Sequence, residues 1–193
     1  MTGNHTLTTV NVTAKLLQSI GSGVLTVQTC FVGGNVELRG SGLVGTAGSL
    51  LDTQGFLQML TVNPVTAPPT TIVVRTGWDS NAAWQPASGT VIFSGLGTTV
   101  TMAPGTIWRN VEAESSGGVT WLGDLRVAGT LRMRGDITVS GSVVDLTARA
   151  FMTFDSLLDG PSVTQLRIRN GLTSAGVIDL PNAVLDADGD ITC

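Results

Sequence analysis

Charge is scarce in this chain. Of 193 residues only 12% are Asp, Glu, Lys or Arg, about half the share of an ordinary globular domain. A single lysine, Lys15, and three glutamates leave few of the long polar side chains that coat the solvent faces of helices, so a helical architecture is not expected. The lack of charge does not mean disorder, because a mean hydropathy of +0.32 is far from the highly charged, weakly hydrophobic composition of unfolded chains. An excess of positive charge is also missing. With a net charge of -4 and a pI near 4.7, the chain lacks the basic face that displaces counterions from phosphates, and no nucleic-acid partner is expected.

The residues that carry most catalysis are few. His5 is the one histidine, and it stands at the frayed N-terminal end, a poor place for a Ser-His-Asp or Cys-His system. Two cysteines, Cys30 and Cys193, cannot build a disulfide framework, and with one histidine they are too few for a closed zinc site. Whether the two pair with each other stays open. The GxGxxG spacing occurs once, as GSGLVG over Gly40–Gly45, but the Gly-rich stretches have no following helix to present a phosphate and no Walker sequence occurs, so no nucleotide cofactor is implied. Continuous apolar runs are missing too: Ser80 to Trp108 carries no charge but is broken by Gly, Thr, Ser and Pro, so no membrane insertion is expected. The first 25 residues show no basic segment followed by an apolar one, hence no visible secretory signal.

What the chain has instead is 25 glycines, 27 threonines and 22 valines, a composition that suits twisted strands and tight turns. Residues 117–146 divide without gaps into GGVTWL, GDLRVA, GTLRMR, GDITVS and GSVVDL. Gly117, Gly123, Gly129, Gly135 and Gly141 open the units. Val119, Leu125, Leu131, Ile137 and Val143 follow two places later, and Trp121, Val127, Met133 and Val139 two later again. Asp145 interrupts this last column. Apolar residues at i and i+2 share one face of a strand, so each unit reads as one short strand with a glycine corner. Hairpin turns would favour Asn-Gly or Asp-Gly, whereas the order here is Gly-Asp. Equal strands with the same inward pair are better explained as successive sides of a coil. Three sides make a turn of about 18 residues, which sets Val119 beside Ile137 and Leu125 beside Val143.

Elsewhere the repeat is looser but the texture persists, as in Gly23-Val-Leu-Thr-Val, Asn35-Val-Glu-Leu-Arg, Thr71-Ile-Val-Val-Arg and Gln165-Leu-Arg-Ile-Arg. The expected fold is all-β, a parallel β-solenoid (β-helix) forming a single elongated domain. Residues 1–88 form an irregular N-terminal region and residues 89–193 a regular shaft. Asn63–Thr70 and Gly77–Gly89 read as loops leaving the coil, and Ala14 to Ile20 as a short capping helix.

The run from Gly89 to Leu146, with GTVIFSG, TTVTM and IWRNVEAESSGGVTWLGDLRVAGTLRMRGDITVSGS, resembles the repeats of bacterial surface β-helix proteins of the filamentous-haemagglutinin and autotransporter kind. Its hexad texture is also similar to phage tail-fibre shafts and to the bactofilin scaffolds. It departs from the left-handed hexapeptide acyltransferases, because glycine here precedes the aliphatic residue by two places. The resemblance implies a solenoid and carries no catalytic residue across.

Three groups of residues invite a chemical reading. Asp186, Asp188 and Asp190 alternate with a bend at Gly189, as at the start of a calcium loop, but Ile191 stands where the loop glycine belongs. Trp78 and Trp84, with Asp79, Asn81 and Gln85 nearby, could stack on a sugar ring, or the indoles could fold back over the coil. Asp124 and Asp136 with Arg132 or Arg134 would be the charged set of a polysaccharide-cleaving β-helix enzyme, although they read more simply as a solubilising ladder of charge. The functional expectation is therefore a non-enzymatic structural building block that self-associates on an exposed surface, of a cell or a virion, without a cofactor. The alternative is a carbohydrate-binding adhesin or phage fibre component using the Trp78/Trp84 loop.

Overall fold

The computed structural model describes residues 4–193 apart from residues 22, 41, 61–64, 67–69, 82–83, 86–88, 148 and 154, and at 40, 46, 47, 65, 66, 70, 84 and 85 it describes the backbone alone. Among the described residues there is no helix, and the strands pair in parallel throughout, stacked as a β-solenoid of about eight turns.

Two sheets run the length of the coil. Sheet 1 starts at Leu16–Gly21, passes through Gly77–Ser80, Thr98–Thr101, Val119–Leu122 and Ile137–Val139, and ends at Val177–Asp179. Sheet 2 starts at His5–Leu7 and Val10–Val12, both paired with Leu25–Val32, and ends at Ile191–Thr192. Sheet 3 lies in the C-terminal half, from Leu125–Val127 through Val143–Leu146 and Gln165–Ile168 to Val184–Ala187. Sheets 1 and 2 both cross residue 88 without interruption. The strands before it include the long Leu25–Val32 and Leu43–Thr53, which pair with a register shift between Val27 and Thr29.

The glycine-opened units lie where their inward pairs place them. Val119 pairs with Ile137 and Trp121 with Val139, all four buried, while Thr120 and Thr138 between them face solvent. The glycine column has two physical causes. At Gly123 the backbone takes φ 126°, a region that residues with a Cβ avoid. At Gly129 a Cβ would collide with the backbone carbonyl of Arg109 on the preceding rung.

One register departs from the six-residue count. Leu125 pairs with Val144, not Val143, and Val127 pairs with Leu146. Val144 and Leu146 are therefore buried, and Asp145 turns outward. The corner Gly141-Ser142-Val143 takes up the extra residue, which keeps a carboxylate out of the core. The expected capping helix is also corrected. Leu16–Gly21 is a strand paired with Asn35–Gly40, and its period is two: Leu17 and Ser19 are buried while Leu16 and Ile20 are exposed. Gly77–Ser80, expected as a loop, is an internal strand of sheet 1 between Phe56–Leu60 and Thr98–Thr101. Trp84–Gln85 pairs with Val65–Thr66; the rest of the two expected loops lies largely outside the described residues.

The core is a single column of apolar side chains along the axis. Its middle is aromatic. Trp78 and Trp121 project from sheet 1, Phe93 from sheet 2, and Trp108 from the segment that bridges to Val127 of sheet 3. Trp108 meets Trp78 with ring centroids 4.9 Å apart at 69°, and Trp121 at 5.3 Å and 68°. These edge-to-face contacts fill the cross-section where large rings add the most buried area. The Trp108 Nε1–H points to Met102 Sδ at 3.1 Å and the Trp121 Nε1–H donates to the Asp124 carbonyl at 3.2 Å.

Corner side chains join one rung to the next. The Asn4 Oδ1 accepts from the Val24 amide at 2.9 Å, Asn110 Oδ1 from the Thr130 amide at 2.9 Å, and Asp136 Oδ1 from the Leu157 amide at 2.8 Å. Each satisfies a backbone donor that the corner takes out of the ladder.

Candidate functional site

The charged residues that sequence reading grouped for chemistry are distributed over separate corners and faces. Asp124 lies at the corner between sheets 1 and 3, Asp136 at the corner between sheets 2 and 1. The Asp124 Oδ1 accepts from the amides of Ser142 at 3.0 Å and Val143 at 3.1 Å, and Arg126 donates to its Oδ2 at 2.9 Å. Burial works to raise the Asp124 carboxyl pKa, but the Arg126 guanidinium and the two amides outweigh it and hold the group below its ordinary range. Arg132 pairs with Glu112 at 3.4 Å and Arg134 with Glu114 at 2.9 Å, each one rung away. These four residues tie one rung to the next.

Of the two readings of the tryptophans, Trp78 takes the second and folds back into the coil. Its ring is fully buried against Trp108 and offers no face to a sugar, while Asp79, the next residue, points outward from the same strand. The Trp84 side chain lies outside the described residues.

Asp186 and Asp188 converge, though on a cation that the chain itself supplies. Arg169 reaches them from the preceding rung, with Nη2 to Asp186 Oδ2 at 2.7 Å, Nη1 to Asp186 Oδ1 at 3.2 Å and Nη1 to Asp188 Oδ2 at 2.6 Å. The forked guanidinium fits one carboxylate with both nitrogens and a second with one. Asp190 takes part through its backbone carbonyl, which accepts from the Leu172 amide at 2.9 Å. Among the described residues no group of three His, Cys, Asp or Glu is arranged to hold a metal ion.

The last described coil exposes part of the inward column. Val177–Asp179, Val184–Ala187 and Ile191–Thr192 are the final strands of sheets 1, 3 and 2, and each is paired on one edge only among the described residues. The inward column continues to this end and then opens. Leu166 is 7% exposed, whereas Leu185, stacked on it, is 54% exposed; Leu172 is 3% exposed and Ile191, stacked on it, 40%. Ile178 and Leu180 are half-buried beside them. Three unpaired strand edges thus frame an apolar patch.

The two cysteines are far apart in environment and both are free: Cys30 is buried and Cys193 exposed. Burial pushes the Cys30 thiol pKa up.

Comparison with protein-family models, with curated proteins and with solved structures returns no match. The likeness to bacterial surface β-helix repeats therefore reaches as far as the solenoid architecture.

Proposed function

We propose that this chain is a non-enzymatic structural building block, a stiff β-solenoid that self-associates and is displayed on an exposed surface, of a cell or a virion. The observation that supports this reading is the parallel stack of about eight turns around one apolar column, which also exposes apolar side chains along its length, Phe31, Val44, Leu96 and Leu122 among them. Exposed apolar surface is what a second chain can cover. Charged pairs along the shaft, Arg75 with Asp52, Arg132 with Glu112 and Arg134 with Glu114 among them, join neighbouring rungs of the same chain and stiffen it.

Size-exclusion chromatography with light scattering over a range of protein concentrations, followed by electron microscopy of the same fractions, tests the proposal. Oligomers or rods whose mass grows with concentration are expected. A monomer at every concentration would overturn it.

A further inference from the structure

The outward face of sheet 2 mixes apolar and charged side chains in a definite order. Its middle column runs from Phe31 through Asp52, Val73, Ile92, Glu112 and Arg132 to Phe151, each in register with the next. Phe31 and Phe151 are exposed, and Val73 and Ile92 half-buried. At the ends of the same strands Arg75, Ser94, Glu114 and Arg134 stack alongside in successive rungs. Within the chain Arg75 pairs with Asp52, Arg132 with Glu112 and Arg134 with Glu114. The order has a centre at Ile92. Phe31 lies three rungs before it and Phe151 three after, Asp52 two before and Arg132 two after, Arg75 one before and Glu114 one after.

We infer that this face packs against the same face of a second copy, the two coils antiparallel about a two-fold axis that follows the strand direction through the Ile92 rung; the inference deepens the self-association reading above and rests on it. Such an axis keeps each column opposite itself and reverses the order of rungs, the self-complementary contact of a symmetric pair. Phe31 then meets the partner's Phe151, Ile92 the partner's Ile92, Asp52 the partner's Arg132 and Arg75 the partner's Glu114. Neighbouring arrangements oppose like charges, which is costly across an interface. Moving the axis half a rung one way sets Asp52 against the partner's Glu112, and half a rung the other way sets Arg75 against the partner's Arg134. Parallel coils about a two-fold along the coil axis set Asp52, Glu112 and Arg132 each against its own copy. Covering the aromatic and aliphatic side chains supplies the association. Charge order fixes the direction and the register, and the ion pairs within each chain stay made.

The test uses the full chain, with circular dichroism melting to check that each variant remains folded. In sedimentation velocity at low salt, Arg132→Glu and Asp52→Lys are each expected to associate at least tenfold more weakly than the parent, because each sets like charges opposite one another twice. Their equimolar mixture is expected to recover parent-like association, since in the mixed pair acid faces base at both places. Ile92→Asp, which opposes two carboxylates on the axis, is expected to weaken association as much, while Thr120→Asp on the exposed outward face of sheet 1 leaves it unchanged; these two test the face even if Asp52→Lys does not fold. A mixture no tighter than its folded components would overturn the antiparallel register. Parent-like association of Ile92→Asp would overturn the choice of face, with self-association itself intact. A monomeric parent would overturn both readings.

Discussion

Leu125 stands in register with Val144, one residue beyond the position that an unbroken count of six assigns it. The displacement keeps Asp145 at the surface, where Arg167 of the next rung reaches it at 3.7 Å. The corner it lengthens is held by Asp124, whose carboxylate receives the amides of Ser142 and Val143. A register is thus set by the need to bury Val144 and Leu146 and is locked by a side chain from the preceding rung.

The register separates two neighbouring valines. Val144→Asp is expected to destabilise the fold by roughly 3–5 kcal/mol, through lost packing and a carboxylate forced into the core. Val143→Asp at the corner is expected to lose less than about 1 kcal/mol. Urea melts of both decide the point, and the reverse order would restore the six-residue count.

The lock at the corner depends on ionisation. The folded-state pKa of Asp124 is depressed, so its contribution is present above the ordinary carboxylate pKa and is lost as pH falls through the folded value. Asp124→Ala is expected to lose about 1–2 kcal/mol at pH 7, a modest sum for two amide bonds to a partly exposed charged acceptor. Below about pH 4 the gap between variant and parent should narrow. A gap independent of pH would show that the carboxylate acts by shape alone.

Trp78, Trp108 and Trp121 form one buried cluster. Replacing the central member, Trp108→Ala, is expected to cost about 3–5 kcal/mol and to remove the most shielded part of the fluorescence. Thermal melts and acrylamide quenching test this together. A parent-like melting temperature would place Trp108 outside the core.

Cys193 is exposed and Cys30 buried with its thiol pKa raised. A thiol reagent under native conditions is expected to label Cys193 within minutes and Cys30 only on unfolding, since the thiolate is the reactive form. Labelling that requires prior reduction would reveal a disulfide between the two and contradict the free thiols.

The regular part of the coil was legible because glycine and two inward apolar residues recur at a spacing that only one strand per side satisfies. Leu16–Gly21 was less so: Leu16, Leu17 and Ile20 also fit one face of a helix, and only the pairing with Asn35–Gly40 decides for a strand. Gly77–Ser80 belongs to the stretch Gly77–Gly89, which reads from sequence as a loop leaving the coil. In three dimensions Trp78 fills a cross-section that Trp108 and Trp121 widen. Of the candidate site, the alternating aspartates were visible, whereas their partner Arg169 lies a full turn earlier and is found only once the rung length is known.

Sedimentation velocity of the parent protein over a concentration series at low and at high sodium chloride addresses the assembly proposal most directly. Screening shortens the reach of surface charge to about 8 Å at physiological ionic strength and less at higher salt, while apolar burial persists or strengthens. The expected result is oligomers that grow with protein concentration and survive high salt. A single monomeric species at every concentration and salt would contradict it.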